Sequence, residues 1–174
     1  MVYNDALITI FAFGGIYAKE VFDFTFNDIF LFGIVLNITA GLGAFLLGFL
    51  DDVLGGKKTI QISNVGFVLA CILAVAAPGF DSGKSLFWVA GILIGICSGP
   101  NQAASRSLMA RMTPKNKENE FYGFFAFSGK ATAFIGPFLF SSIVAITGDL
   151  RYGVALVGIL FFIGMILLSR VDSN

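Results

Sequence analysis

Lys130 makes the strongest chemical demand in the sequence. It stands nine residues beyond Phe121 in a long apolar stretch, about 14 Å into a membrane at helical rise. A lysine at such depth costs roughly 2.5–3.5 kcal/mol on insertion scales, so it must face a bundle interior or water and find an acid or carbonyl. Asp5 is the carboxylate that reaches similar depth if its helix extends upstream. The expectation is that Asp5 and Lys130 pair, or share a proton or a substrate charge, because an unpartnered buried ion costs several kcal/mol. A lysine snorkelling to the interface is the plainer alternative. Ser128 lies only two residues from Lys130 and points to another helix face, so a Ser–Lys nucleophilic dyad has no support.

The segment Ser98–Arg106 is the second candidate. Gly99 and Pro100 should break an apolar helix there, since proline removes a backbone donor and frees a carbonyl that a polar neighbour or water must satisfy. Such interruptions line transporter cavities, and Asn101 and Gln102 then read as substrate or gating contacts. A helix simply emerging among headgroups would also tolerate these amides.

Other chemistries are excluded or unsupported. With no histidine in 174 residues, Ser-His and Cys-His catalysis and imidazole metal sites are removed. The carboxylates show no metal-ligand spacing. Cys71 and Cys97 both sit in apolar runs, where a cysteine is ordinarily a small buried hydrophobe. Net charge is zero, which gives no case for a nucleic-acid partner. No catalytic residue, metal or cofactor is expected.

The elements that must position these residues follow from composition. Hydrophobic residues make up 57% and charged residues 13%, about half the charged share of a globular chain. Lipid must therefore be the solvent for much of the surface. Six apolar stretches are expected as membrane helices at Val2–Ala18, Ile29–Leu50, Thr59–Pro78, Leu86–Arg106, Phe121–Thr147 and Gly153–Ser169. Most reach the roughly 20 residues needed to cross the hydrocarbon. Open strands would leave backbone groups unpaired in lipid, so the fold class is an all-α membrane protein with six transmembrane helices forming one domain.

Basic residues then set orientation. If the second, fourth and sixth helices end on one side, that side collects Lys57, Lys58, Arg106, Arg111, Lys115, Lys117 and Arg170, against Lys19, Lys84 and Arg151 opposite. The positive-inside rule makes the richer side cytoplasmic, with the Arg106–Glu120 loop and the C-terminus on it. The first stretch is short: its uninterrupted apolar part runs only from Ala6 to Ala18. Either this helix starts at the interface, or its first turns precede Met1, which is the reading its uncharged lead favours.

One loop carries a recognisable pattern. Gly48, Asp52, Gly55, Lys57 and Lys58 fall between the second and third helices. Gly48 would let two helices approach, Asp52 would lock a neighbouring helix end, and the lysines would stay at an anionic membrane face. The spacing resembles the cytoplasmic loop signature of the major facilitator superfamily, although Val53 stands where that pattern has arginine. Two further passages, Tyr3–Tyr17 and Gly99–Phe140, are similar to the C-terminal half of the vacuolar-effluxer branch of that superfamily. They include Gln102, Ser105, Arg106, Pro114, Glu120, Gly123, Ser128 and Lys130.

The resemblance implies a secondary active transporter of a small solute, working by alternating access against an N-terminal six-helix half outside this sequence. It implies that Asn4 and Asp5 lie well inside a helix as substrate or proton-coupling candidates. It also implies an inverted repeat of three helices plus three, amino-acid export by analogy, and a cell inner membrane if the source is bacterial. A six-helix channel and a membrane-embedded structural subunit are the competing classes. A membrane-embedded enzyme is a further one.

Overall fold

The computed structural model describes residues 2–114 and 116–171. These form eight α-helices: α1 (Val2–Phe22), α2 (Phe26–Leu47), α3 (Phe49–Leu54), α4 (Gly56–Ala76), α5 (Gly83–Met112), α6 (Glu118–Thr132), α7 (Ile135–Thr147) and α8 (Leu150–Ser169). A single 3-10 turn at Ala77–Gly79 follows α4.

Local chemistry sets most of the boundaries. After α1, Asp23 takes φ 51°, and the amide of Phe24 reaches back to Ala18 O at 3.3 Å. The Asp23 amide bonds Lys19 O at 3.0 Å, the five-to-one closure of an αL stop, with aspartate in the left-handed place more often taken by glycine. Thr25 and Asp28 then start α2 with a reciprocal capping box. Gly148, at φ 70°, ends α7, and Asp149 caps α8 by accepting from the Arg151 amide at 2.8 Å.

The expected fifth span is two helices, with the break at Ala133–Phe134. Pro137 is the cause: it has no N–H to give Ala133 O, so one helical ladder cannot run through. The expected second span continues past Gly48 into α3, to Leu54.

The expected break at Pro100 is absent, because α5 continues as one helix for 30 residues to Met112. The carbonyl that Pro100 leaves without its donor is that of Ile96, and it lies against Gly43 of α2, where any Cβ would collide with it. Arg106 and Arg111 consequently stand on a helix, and the loop after α5 is confined to residues 113–117, of which Lys115 lies outside the described residues.

Five helical runs are long and apolar enough to cross a membrane: Phe26–Leu54, Gly56–Gly79, Gly83–Met112, Glu118–Thr147 and Leu150–Ser169. The 21-residue α1 has the length, but Asn4, Asp5, Lys19 and Glu20 lower its hydropathy. The helices neighbour one another in the order α2, α5, α4, α8, α1, α7. The α2–α5 crossing is made by small residues: Gly91, Gly95 and Gly99, four apart on α5, meet Phe32, Thr39, Ala40 and Ala44 of α2. Removing Cβ atoms lets the backbones close, which substitutes for a hydrophobic drive that lipid does not supply.

At the far end, Phe22, Phe24, Phe32, Phe87 and Trp88 stack around one another, and Tyr17 donates to Ala74 O at 2.8 Å. By contrast α6 buries no residue, and Phe124 and Phe127 are 73% and 70% exposed. Exposed aromatic side chains of this kind place lipid or another protein surface against the helix. The chain is thus a multi-pass membrane protein.

Candidate functional site

Three helix stripes line an open-sided cavity of about 390 Å³. From α5 come Asn101, Gln102, Ser105 and Arg106, which repeat at four-residue spacing and so share one face. From α6 come Phe125, Ala126, Gly129 and Lys130, again four apart, and from its C-cap Ala133. From α1 come Tyr3, Asn4 and Ile8. Four of the five substrate candidates therefore meet in one space: Asn4, Asn101, Gln102 and Lys130. The sequence reading missed Tyr3, Ser105 and Arg106 as members, although the pairs Asn101/Ser105 and Gln102/Arg106 were a readable helical stripe.

Hydrogen bonds fix the back wall. Ser105 Oγ donates to Asn101 O at 2.7 Å, so Tyr3 OH, 2.9 Å from Ser105 Oγ, is the donor to it. Buried Asn101 donates to Asn64 Oδ1 of α4 at 3.1 Å, and Asn64 Nδ2 finds no acceptor among the described residues. Tyr3 itself packs on Gly164 of α8, where no Cβ intervenes.

Asp5 is placed elsewhere. Its carboxylate lies 3.1 Å from Thr132 Oγ1, whose single proton is shared between that oxygen and Ser128 O at 3.0 Å; its carbonyl accepts from Thr9 Oγ1 at 2.7 Å, and Gly136 packs on its backbone. Among the described residues the ion pairs are Asp51–Arg111 and Asp149–Arg151, so the expected Asp5–Lys130 ion pair is not formed. Helix geometry explains it: Lys130 and Thr132 are about 200° apart around α6, so the face that gives Thr132 to Asp5 turns Lys130 into the cavity. A second cavity of about 190 Å³, between Thr9, Phe13, Tyr17, Phe32, Phe87 and Phe140, is mostly apolar.

The loop between α2 and α4 works through different residues from those expected. Asp52 is exposed, whereas Asp51 sits 3.5 Å from Arg111 of α5. Asp51 Oδ1 makes no well-aligned hydrogen bond, so this contact is an electrostatic one. Neighbouring positions on a helix point about 100° apart, and on α3 it is Asp51 that faces α5. Gly48 does not bring two helices together, since its Cβ would meet only the Ala44 and Phe45 backbone of its own chain run.

The close approach belongs to Gly56, whose Cβ would lie 3.1 Å from Ala104 O and 3.2 Å from Leu108 Cβ. Gly55 has φ 83°, ψ 153°, a conformation that side chains rarely adopt. Lys57 donates to Ser169 O at 2.9 Å and Val171 O at 2.6 Å, closing the C-terminal end of α8. Lys58 is exposed and lines a surface pocket with Gln61 and Arg111.

The family described as "Vacuole effluxer Atg22 like" matches residues 1–174. The "Uncharacterized MFS-type transporter YxiO" of Bacillus subtilis strain 168 is 28% identical over 172 residues, which are 99% of this chain and 39% of YxiO. Autophagy-related protein 22 of Cryptococcus neoformans var. neoformans serotype D strain JEC21 is 26% identical over 169 residues, which are 90% of this chain and 29% of that protein. This chain therefore spans well under half the length of these relatives. The xylose transporter XylE from E. coli, in its inward-open conformation, shares the fold, with TM-score 0.77 and 17% identity over 98% of this chain and 45% of XylE. Since the family match runs from the first residue to the last, the chain belongs to the Atg22-like vacuole effluxer family.

Proposed function

We propose that this chain is one six-span wall of a secondary active transporter that moves a small solute, an amino acid by analogy with its vacuolar relatives, by alternating access. The observation that carries the reading is the polar cavity assembled from α1, α5 and α6 inside an otherwise apolar protein. Ligand sites of secondary transporters lie at such depth between two repeats. In this reading α1 is the sixth crossing, its polar residues facing the cavity rather than lipid. The partner half packs on the least buried elements, α2 and α6, and a proton is the coupling ion at Asp5.

A three-plus-three repeat is supported by the pattern of neighbours. Exchanging α1 with α5, α2–α3 with α6–α7, and α4 with α8 turns α2·α5 into α7·α1, turns α5·α4 into α1·α8, and returns α4·α8 to itself. The membrane is a cell inner membrane if the source is bacterial, with the α3–α4 end cytoplasmic.

The test is solute efflux from preloaded proteoliposomes containing the full-length protein. Efflux should saturate with solute concentration, respond to a pH gradient, and fall at least about tenfold in Gln102→Ala, the loss expected when one well-aligned substrate contact is removed. An ohmic ion leak without saturation would instead establish the channel alternative.

A further inference from the structure

We propose that this wall of the cavity is an anion site, with Arg106 and Lys130 holding the carboxylate of a small organic acid. The inference rests on reading the cavity as a solute site, and it names what that solute must carry.

The cavity has two cationic side chains and no acidic one in its lining. The nearest intramembrane carboxylate, Asp5, is turned away to Thr132 and lines no part of it. Neither Arg106 nor Lys130 belongs to an ion pair among the described residues. Two like charges sharing one space repel each other and gain by admitting an anion between them, and charge-assisted bonds of guanidinium or ammonium to a carboxylate are among the strongest available. Arginine supplies a planar two-pronged donor and lysine a point charge from the facing helix.

The other polar groups are disposed to leave that role to the cations. Tyr3 donates its hydroxyl proton to Ser105, and Asn101 is bonded to Asn64, so both are already engaged. Gln102 stands one residue from the bonded Asn101 and is exposed to the cavity. Ile8 and Phe125 give the adjoining apolar surface that an organic acid, unlike an inorganic anion, can cover. The ammonium of an amino acid meets no acid on this wall, so this chain recognises only its carboxylate end.

Three ligands with one side chain and different charge make the test: N-acetylleucine, leucine and leucinamide. Binding is measured by equilibrium dialysis to the full-length protein in phosphatidylcholine nanodiscs. N-acetylleucine and leucine should bind, and each should weaken by about tenfold or more in Arg106→Gln and in Lys130→Gln, the loss of one charge-assisted hydrogen bond. Leucinamide should be unaffected by either change. Arg106→Lys and Lys130→Arg should retain most of the N-acetylleucine affinity. On the unaltered protein, rising chloride should weaken N-acetylleucine and leave leucinamide unchanged, which keeps the test independent of how the variants fold.

Equal binding of N-acetylleucine and leucinamide, or unchanged N-acetylleucine affinity in both glutamine variants, would overturn the site. Displacement of N-acetylleucine by inorganic phosphate at matching concentration would overturn its assignment to carboxylates. Anion binding without proteoliposome efflux would sink the transport reading and leave the site standing. Efflux of neutral or cationic solutes that ignores Arg106 and Lys130 would do the reverse.

Discussion

The carboxylate of Asp5, 5% exposed in the fold, has one side-chain hydrogen-bond partner, Thr132, whose hydroxyl also reaches Ser128 O. A buried acceptor stripped of its donor loses about 1–3 kcal/mol, so Thr132→Val should lower stability by that order. Thermal unfolding in detergent of Thr132→Val, Asp5→Asn and the double variant should be non-additive, because the two side chains touch. The pair Lys130→Met and Asp5→Asn should be additive in the same measurement, since no ion pair joins them. If Asp5 and Lys130 share a proton or a substrate charge during the cycle, their coupling will appear in transport rates alone. Lys130 was legible in the sequence because depth alone makes a lysine expensive. Thr132 was not, because a threonine in a helix carries no such cost and its importance depends on what faces it.

At the scale of elements, helix ends and crossings hold the bundle together. Lys57 closes the end of α8 with two bonds to carbonyls, and hydrogen bonds to a charged group are worth about 1.5–3 kcal/mol each at most. Lys57→Met should therefore destabilise the protein measurably in thermal unfolding, while Asp52→Asn, exposed and unpaired among the described residues, should be silent in that assay.

At the opposite end, the Arg151 side chain, and then its backbone amide, hold the Asp149 carboxyl below the usual carboxylate range. That contribution is complete above the unfolded-state value of about 4 and is lost as pH falls through the lower folded-state value. Asp149→Asn should remove this acid-limb dependence of the melting temperature. The α2–α5 crossing is stricter, since a Cβ on Gly95 would lie 2.9 Å from both Leu36 O and Thr39 Cβ. Gly95→Val should abolish the monodisperse peak in size-exclusion chromatography.

For the whole molecule, α3 and the ends of α4, α5 and α8 meet at one face through Asp51–Arg111 and Lys57–Ser169. That face carries the basic residues Lys57, Lys58, Arg111, Lys117 and Arg170. A cytoplasmic placement predicts that Asn116→Cys, with Cys71 and Cys97 replaced by alanine, resists an impermeant thiol reagent outside intact cells. Ready labelling would invert the topology. The same scale governs activity: a cavity open on one side offers half a site, so the 174-residue chain alone should show no solute efflux in proteoliposomes.

Helix class, charge asymmetry and the cost of Lys130 were all legible in the sequence alone. Each is a property of single residues or of neighbours within a turn: transfer free energy, caps, and the four-residue repeat of a helix face. Tertiary structure alone decided which polar residues share a cavity, that Asp5 turns to Thr132, that Asp51 rather than Asp52 meets Arg111, and that α5 survives Pro100. Those outcomes depend on how far each helix is rotated about its axis when it packs. A rotation of about 100° exchanges one residue for the next at a contact, and only the closest-packing glycines of facing helices select it.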